Sequence, residues 1–499
     1  MTVYNYNLGI GWASSGVEYA QIYRAKCFRE AGIDARFIFT DMIRYENIEH
    51  LTANIGFKDE EVMWLYSFFT DYRIAPSTYP ISAIEDAFNS PNYHLRRDRK
   101  KRSYFFDREK KVVNVFEGTA PSTVQRVETV VGGALIRADY YTYGKVFSEF
   151  FAPKDKKAEL YMRQFYNTDG TVAYEELVNG DNSCFRFRDQ MFDCKEELIG
   201  YMVRTIGAGK DDVILIDRSS LIGPEILRNH GEARVGVVVH AEHYNLNLTD
   251  DDNVLWNNYY EYMFTNNAEV DFYITSTEAQ SSCLREQFEK YYGVHPTVYT
   301  IPVGCLEEIR YKPYGRRKHA ALTASRLAPE KHIDWLIKAV LMARKEIPDL
   351  SLDIYGRGKC DKECRQLIKE ADAESYIRLL GHKDLDEVYK EYELYLSASG
   401  SEGFGLTLLE AVGSGLPIIG FEVPYGNVTF VRPGKNGYLV DFDTETEERI
   451  KGLSESIVML FKNSNTESFR RQSYEIAEGY MLSKISNCWK EIINNDLTI

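Results

Sequence analysis

The sequence predicts an α/β protein with two doubly wound parallel sheets, the first of which is interrupted by an antiparallel β-meander. Apolar strands alternate with helical patterns at the start of the chain and again through its C-terminal half, whereas the stretch between them is rich in hairpin signals. The 499 residues are too many for one ordinary core. The predicted regions are 1–67 and 201–306 for the first domain, 68–200 for the insertion, 307–480 for the second domain and 481–499 for a C-terminal helix.

The first domain opens with a strand, a glycine-rich loop and a helix that runs through Arg29. A second strand at Ala35–Thr40 completes a β-α-β unit, which favours a parallel sheet. The loop contains Gly9, Gly11 and Gly16 but does not match G-x-G-x-x-G, so on its own it is weak evidence of a phosphate site. The alternation resumes after residue 200 with strands at Asp212–Asp217, Arg234–His240 and Asp271–Thr275.

The insertion consists of runs rich in β-branched and aromatic residues, which are typical of strands. Strong hairpin signals separate these runs at Gly132–Gly133, Asn167–Gly170 and Asn179–Gly180. Most of its tyrosines and phenylalanines are expected to form a small core. A face or edge of the meander remains available for an extended peptide or a partner protein.

A basic run, Arg96–Arg102, holds six cations in seven residues upstream of these hairpins. The simplest interpretation is a solvated loop. The alternative is a docking patch for an acidic partner.

The second domain contains the most informative segment, where a buried strand at Leu394–Leu396 is followed by a glycine-rich turn and a helix over Leu406–Val412. The first N–H groups of a helix have no intrahelical partner and lie at the positive end of its dipole, so they can bind a phosphate. Glu402 precedes this helix, and Glu410 lies eight residues later, on its ligand-facing side. This arrangement suits one extended ligand with hydroxyls at both ends and phosphates in the middle.

A second phosphate-binding element follows the strand that begins at Ala321. The pattern predicts a loop containing Arg326 and then a helix begun near Pro329, because proline is tolerated in a first helical turn. Arg326 offers a planar fork for two phosphate oxygens, and Lys331 offers a compact charge. Together they suit a diphosphate leaving group better than two unrelated surface cations.

Composition limits the classes of function. A net charge of −15 and a pI near 5.3 argue against a protein that binds nucleic acid through its overall field. The eight cysteines are scattered without a C-x-x-C pair, which favours reduced thiols. The start of the chain lacks the features of a signal peptide, and no apolar stretch approaches the ~20 residues of a membrane span, so a soluble intracellular protein is expected.

The spacing from Glu402 to Glu410, with Gly-Phe-Gly-Leu after the first glutamate, resembles the signature of the retaining glycosyltransferases of GT-B type, whose two Rossmann-like domains face a cleft. The resemblance implies that Glu410 binds the ribose of a nucleotide and that Glu402 contacts the donor sugar. It implies catalytic roles for Glu402, Arg326, Lys331 and His240. The implied donor-binding set is Gly16, His240, His243, Arg326, Lys331, Glu402, Gly403, Phe404, Gly405, Leu406, Thr407, Glu410 and His382.

Within this set, the resemblance gives the sugar's outer hydroxyl to a histidine at the end of the Arg234–His240 strand. His240 fits that position better than His243, although a structural histidine bonded to the backbone would look the same in the sequence. The resemblance also places Gly16 opposite the donor diphosphate, and it implies that the C-terminal helix crosses back to the first domain.

No metal or other cofactor is expected. Three D-x-D pairs exist, but the first two look like helix N-caps and the third follows a strand. These pairs are Asp250/Asp252, Asp384/Asp386 and Asp441/Asp443.

The opening residues 7–20, the inserted meander and the segments from Tyr425 and from Asn436 are together similar to the catalytic subunits of the bacterial accessory-secretion adhesin glycosyltransferases. This resemblance covers essentially the whole chain. It implies transfer of N-acetylglucosamine (GlcNAc) from UDP-GlcNAc to Ser or Thr of serine-rich repeat adhesins, with retention, together with a homologous noncatalytic subunit. It also implies a cytoplasmic location, with the partner as a route to peripheral association with the inner face of the membrane.

Three alternatives stay open. UDP-glucose could replace UDP-GlcNAc as the donor. The chain could be a nucleotide-sugar epimerase on the same fold, or a noncatalytic subunit that only presents substrates, although intact Glu402, Glu410, Arg326 and Lys331 would be unexpected in the latter.

Overall fold

The computed structural model describes residues 1–11, 16–88, 92–154, 157–462 and 466–494. Residues 12–15 of the predicted glycine-rich loop lie outside the described residues. The chain divides into two compact units. The first comprises Met1–Ile22, Ile33–Val237 and Asn258–Asp271, and the second comprises Tyr23–Gly32, Val238–Asn257 and Phe272–Ile499.

The strands of the described residues, in chain order, are β1 (Thr2–Asn7), β2 (Asp34–Phe39), β3 (Val62–Trp64), β4 (His94–Asp98), β5 (Lys101–Phe106), β6 (Lys111–Glu117), β7 (Val124–Val131), β8 (Ala134–Tyr141), β9 (Lys145–Lys154), β10 (Lys157–Tyr166), β11 (Val172–Asn179), β12 (Asn182–Arg186), β13 (Met191–Phe192), β14 (Val213–Ile216), β15 (Arg234–Val239), β16 (Phe272–Thr275), β17 (Val298–Thr300), β18 (Ala320–Ala324), β19 (Ser351–Tyr355), β20 (Ile377–Gly381), β21 (Leu394–Leu396), β22 (Ile418–Phe421) and β23 (Gly437–Val440).

The α-helices of the same residues are α1 (Gly16–Ala31), α2 (Ile48–Ile55), α3 (Leu65–Phe68), α4 (Ile81–Asp86), α5 (Lys195–Ile206), α6 (Gly223–Asn229), α7 (Glu261–Thr265), α8 (Glu278–Tyr292), α9 (Ile333–Ala343), α10 (Asp361–Glu370), α11 (Leu406–Gly413), α12 (Gly426–Phe430), α13 (Thr446–Lys462), α14 (Thr466–Ala477) and α15 (Leu482–Ile493).

The first sheet has seven strands in the order β17-β16-β15-β14-β1-β2-β3. The register of β1 with β2 and with β14 is parallel, as the β-α-β pattern predicts. Strands β14 and β15 are apolar along nearly their whole length, because helices cover both faces of such a sheet.

The insertion forms a ten-stranded antiparallel sheet in which β4 to β13 follow one another in chain order. The predicted meander is therefore confirmed, with hairpins at all three predicted turns. Its aromatic side chains stack across neighbouring strands, as Phe165 does on Tyr174 with ring centroids 4.4 Å apart. Both rings are buried, so these residues form a core.

The interpretation of Arg96–Arg102 as a loop is wrong. Strands β4 and β5 pair in antiparallel register through this run, with Arg97 opposite Arg102. Arg102 is held by Glu117, whose carboxylate lies 2.8 Å from the guanidinium Nε. Every residue of β4 is exposed, and charged side chains on an edge strand discourage pairing with other chains.

The second sheet has six strands in the order β20-β19-β18-β21-β22-β23, and its pairs are parallel. Helices α9, α10 and α13 supply an apolar cluster that includes Leu336, Ile368 and Leu453. At the C-terminus, Trp489 of α15 packs edge-on against Phe28 of α1, with ring centroids 5.2 Å apart. The doubly wound α/β fold with an antiparallel insertion is confirmed, while the predicted domain boundaries stay predictions.

Helix α9 begins later than predicted. Pro329–Lys331 forms a single 3₁₀ turn, and His332 then takes a left-handed conformation with φ of 43°. The α-helix starts only at Ile333. Proline suited the first turn as expected, but the left-handed residue separates that turn from the helix, so Lys331 lies in a connecting turn.

In the part of the chain that the structure describes, no helix combines the length and the apolar character that crossing a membrane requires.

Candidate functional site

The turn that carries Glu402 is shaped by two glycines. A Cβ atom at Gly403 would lie 2.7 Å from the carbonyl oxygen of His240, which is too close for any other residue. Gly405 has φ of 86° and is the N-cap of α11. The helix begins at Leu406 as predicted, and its first N–H groups have no acceptor within the helix.

Lys331 and Glu402 form an ion pair. The Lys331 Nζ lies 2.7 Å from the Glu402 Oε2, although 71 residues separate them in sequence. Both side chains are partly buried. The structure therefore places a cation of the predicted diphosphate site directly against the predicted sugar-binding carboxylate, at the start of α11.

Arg326 lies in the loop after β18 and extends into solvent. Its side chain is 81% exposed, and its guanidinium approaches the Glu330 carboxylate only to 3.5 Å. An exposed pair of this kind contributes little to stability, so the guanidinium can leave it at small cost. Arg326 is therefore available to bind a ligand.

Glu410 lies on α11 two turns after Glu402 and is largely shielded from water. The hydroxyl of Tyr389 donates a hydrogen bond to its Oε2 at 2.8 Å. Burial raises the pKa of Glu410 to about 7, whereas the Tyr389 hydrogen bond and the nearby charge of Arg310 lower it. Such a carboxylate gains by accepting hydrogen bonds from ligand hydroxyls.

The other residues of the predicted set in and just before α11 differ in what their side chains contact. The Tyr395 hydroxyl donates to Thr407 Oγ1 at 2.8 Å. Phe404 is buried against Phe430 and Tyr480, so only its backbone is available to a ligand. Leu406 is half-buried.

The two histidines differ in exposure. His240 is partly exposed at the end of β15, with its carbonyl against Gly403. His243 has no exposed surface, and its Nε2 lies 2.7 Å from Gln287 Oε1. Burial lowers the pKa of His243 to about 4, so its ring is neutral at physiological pH. Of the two, His240 is therefore the more accessible to a ligand, whereas His243 supports the loop.

Two further residues of the predicted set, His382 and Gly16, are exposed. His382 is exposed in the loop after β20. Gly16 is exposed at the first position of α1, and a Cβ there would meet no atom of the described residues within 4 Å. Neither position requires its residue type for packing.

Sequence reasoning missed Glu242, which lies between the two histidines. Its carboxylate accepts hydrogen bonds from Ser401 Oγ at 3.1 Å and from the Tyr425 hydroxyl at 3.2 Å. The N–H of Tyr425 in turn donates to the Glu402 carbonyl at 2.7 Å. Glu242 therefore ties the loop after β15 to the Glu402 turn. The only signal in the sequence is its position between two candidate histidines.

The D-x-D pairs serve local turns. In each pair the first carboxylate accepts a hydrogen bond from the backbone N–H of the second aspartate, at 2.8 to 3.0 Å. Among the described residues, no group of three or more His, Cys, Asp or Glu side chains is arranged to hold a metal ion.

Two family models match the chain. The model described as "GtfA extended beta-sheet domain" matches residues 94–189, which span β4 to β12. The model described as "Glycosyl transferases group 1" matches residues 311–469, which include Arg326, Lys331, Glu402 and Glu410.

Full-length relatives agree with both models. The UDP-N-acetylglucosamine–peptide N-acetylglucosaminyltransferase GtfA subunit of Streptococcus agalactiae is 51% identical over 506 residues, which cover 100% of both chains. The crystal structure of the pneumococcal O-GlcNAc transferase GtfA in complex with UDP and GlcNAc matches with a TM-score of 0.94 and 46% identity, over 100% of this chain and 99% of that one. A crystal structure of a GtfA/B complex matches with a TM-score of 0.95 and 46% identity, over 99% of each chain.

Proposed function

This chain belongs to the family of GtfA subunits of UDP-N-acetylglucosamine–peptide N-acetylglucosaminyltransferases, and from that membership we propose that it transfers GlcNAc from UDP-GlcNAc to Ser or Thr of serine-rich repeat adhesins with retention. It is a glycosyltransferase of the two-domain Rossmann-like fold with an inserted antiparallel sheet. The site is assigned mainly from the ion pair between Lys331 and Glu402, which lies beside the N-terminus of α11. Glu410 follows two turns further along the chain.

We assign the ends of the donor to the two glutamates. Glu410 accepts hydrogen bonds from the ribose hydroxyls, and Glu402 accepts them from the sugar. The diphosphate lies between them, against the N–H groups of Gly405, Leu406 and Thr407 and within reach of Arg326. Lys331, already paired with Glu402, completes the positive side of this site.

The reaction that this arrangement serves is departure of UDP. The bond between sugar C1 and the β-phosphate oxygen breaks while the acceptor oxygen forms its bond to C1 on the same face. The hydroxyl proton passes to the leaving phosphate. Arg326, Lys331 and the α11 amides stabilise the charge that develops on that phosphate, an effect that is commonly the largest catalytic contribution. Glu402 positions the sugar and stabilises charge at C1, and the proposed reaction uses no metal ion or other cofactor.

The partner and the location belong to the same proposal. The GtfA/B complex of the similar structure supports a heteromeric enzyme here, with a homologous noncatalytic subunit as the proposed partner. The ten-stranded sheet is the surface that we assign to recruitment of that subunit or of the extended acceptor. We place the enzyme in the cytoplasm, at the inner face of the membrane through its partner.

Intact-mass spectrometry of a serine-rich repeat polypeptide tests the function. The chain, together with its partner subunit, is incubated with UDP-GlcNAc or with UDP-glucose. Stepwise gain of N-acetylhexosamine masses with the first donor and not with the second is expected. A gain of hexose masses with UDP-glucose would show that UDP-glucose is the donor in place of UDP-GlcNAc. Epimerisation of the donor without any gain in polypeptide mass would overturn the transferase assignment.

A further inference from the structure

Two tyrosines lie behind the ligand-facing side of α11. Tyr389 comes from the 3₁₀ turn Tyr389–Glu391, and Tyr395 comes from β21. The Tyr389 hydroxyl lies 2.8 Å from Glu410 Oε2, and the Tyr395 hydroxyl lies 2.8 Å from Thr407 Oγ1. Residues three apart share one face of a helix, so both hydrogen bonds act on the same side of α11.

The two tyrosines are themselves fixed. Tyr389 has no exposed surface, and Tyr395 has almost none. Their rings pack with centroids 6.0 Å apart, and the Tyr395 hydroxyl also lies 3.1 Å from the carbonyl oxygen of Ala324 at the end of β18. Each ring is therefore held by its surroundings, and its hydroxyl meets its partner on α11 from a fixed direction.

From this geometry we propose that Tyr389 and Tyr395 are positioning residues for the donor: Tyr389 orients Glu410 toward the ribose, and Tyr395 orients Thr407 toward the diphosphate. Neither tyrosine touches the donor. Tyr389 occupies Oε2 of Glu410, while Oε1 accepts no hydrogen bond from the described residues and is presented to the ribose. The inference rests on the proposed function, because it assigns supports to the donor site described above.

The Tyr389 hydrogen bond also affects the pKa of Glu410, a carboxylate that titrates near neutrality. An ionised carboxylate accepts hydrogen bonds from two hydroxyls, whereas the protonated form offers less acceptor capacity. The groups that influence Glu410 electrostatically are Tyr23, Arg310, Asp384, Asp386, Tyr389 and Tyr395. Of these, Tyr389 and Arg310 favour the ionised form, and loss of the Tyr389 hydroxyl moves the pKa of Glu410 upward.

Calorimetric titration of the full chain with UDP-GlcNAc between pH 6 and pH 8 provides the test. UDP-GlcNAc is preferred to UDP because a terminal phosphate titrates near pH ~6. With a Glu410 pKa of about 7, the wild-type Kd is expected to be about eightfold higher at pH 6.0 than at pH 7.5. Tyr389→Phe is expected to raise the Kd at pH 7.5 by about fivefold and to move the midpoint to higher pH.

Tyr395→Phe distinguishes the effect of Tyr395 from that of Tyr389, because its partner Thr407 does not titrate. It is expected to raise the Kd by a similar factor while leaving the midpoint at the wild-type pH. Tyr392→Phe is the matched control, since its buried hydroxyl donates to Asp353 at 2.6 Å in the same domain but makes no hydrogen bond to α11 in the described residues. This control is expected to bind UDP-GlcNAc with the wild-type Kd and midpoint.

A wild-type Kd and midpoint in Tyr389→Phe would overturn the inference, as would an equal loss of affinity in Tyr392→Phe. Failure of the inference is distinguishable from failure of the proposed function, because peptide glycosylation is measured separately. If the variants change UDP-GlcNAc binding as expected but the wild-type protein modifies no polypeptide, the transfer activity is refuted. The role of the two tyrosines in donor binding then still stands.

Discussion

Replacement of Glu410 by glutamine should make the ligand-free protein more stable at alkaline pH. Burial raises the pKa of this carboxyl from its ordinary 4.5 to about 7. The folded protein therefore binds the proton more tightly than the unfolded chain does. The stabilising contribution of protonated Glu410 is complete below pH 4.5 and is lost as the pH rises through about 7.

The size of this change in the free energy of unfolding follows from the ordinary and the raised pKa of Glu410. The difference between 4.5 and about 7 corresponds to about 3 kcal/mol between the two ends of this pH range. Glutamine is isosteric, keeps an oxygen for the Tyr389 hydroxyl and never ionises. The variant should therefore match the wild type near pH 4.5 and exceed it by about 3 kcal/mol at pH 8, equivalent to roughly 6 °C in Tm for the domain that carries α11.

Thermal unfolding of the wild type and of Glu410→Gln at a series of pH values between 4.5 and 8 measures this difference. Glu374→Gln is the control, because Glu374 is exposed between α10 and β20 and makes no hydrogen bond or ion pair among the described residues. The control should follow the wild type at every pH. A Glu410→Gln advantage that is the same at pH 5 and pH 8, or that is absent at pH 8, would refute the reasoning.

Three further predictions concern ligand binding and catalysis. Arg326→Ala should weaken UDP binding by roughly 1.5–3 kcal/mol, as loss of a hydrogen bond to a charged group does, and unchanged affinity in calorimetry would remove Arg326 from the site. Glu402→Gln should keep UDP affinity while the rate of transfer falls at least ~100-fold, whereas Glu410→Ala should weaken UDP itself; equal affinities and equal rates in the two variants would show both roles to be wrong. Chelation with EDTA should leave activity within about twofold, because Arg326, Lys331 and the α11 amides do the work of a metal ion; loss of activity that Mn²⁺ restores would contradict this.

The parts of the site that sequence alone predicted correctly are those specified within one short segment. The strand Leu394–Leu396 is a continuous apolar run, and Gly405 allows the left-handed N-cap from which α11 starts at Leu406. Strand and helix periodicity are local properties, so a single sequence is sufficient to locate them. The start of α9 was harder to place because a left-handed His332 is a conformational choice that its neighbours in sequence do not impose.

The contacts that organise the site were beyond sequence reasoning because their partners are distant in the chain. The hydrogen bond from Tyr425 to Glu242 spans 183 residues, and the bond from Tyr389 to Glu410 spans 21. A tyrosine combines an apolar ring with a polar hydroxyl and suits both a core and a polar contact, so composition does not reveal which hydroxyl meets a carboxylate. Only the packed structure distinguishes Tyr389 from the tyrosines that fill the insertion.

The pattern of strands in the insertion does not reveal whether the insertion can be removed without damage to the first sheet. Hairpins that follow one another along the chain are typical of a module that folds on its own contacts. In the structure the Tyr174 hydroxyl donates a hydrogen bond to the Tyr66 carbonyl oxygen at 2.8 Å. Phe165 stacks on the Tyr66 ring with centroids 5.6 Å apart. Tyr66 belongs to α3, directly after strand β3 of the first sheet, so the meander supplies part of the apolar cover of that sheet. Removal of residues 104–187 would expose this surface, so a role in recruitment is better tested by substitution than by deletion. Every residue of strand β4 is exposed, so charge-reversing substitutions there test recruitment through side-chain contacts, which the charges permit, rather than through edge-strand pairing, which they discourage.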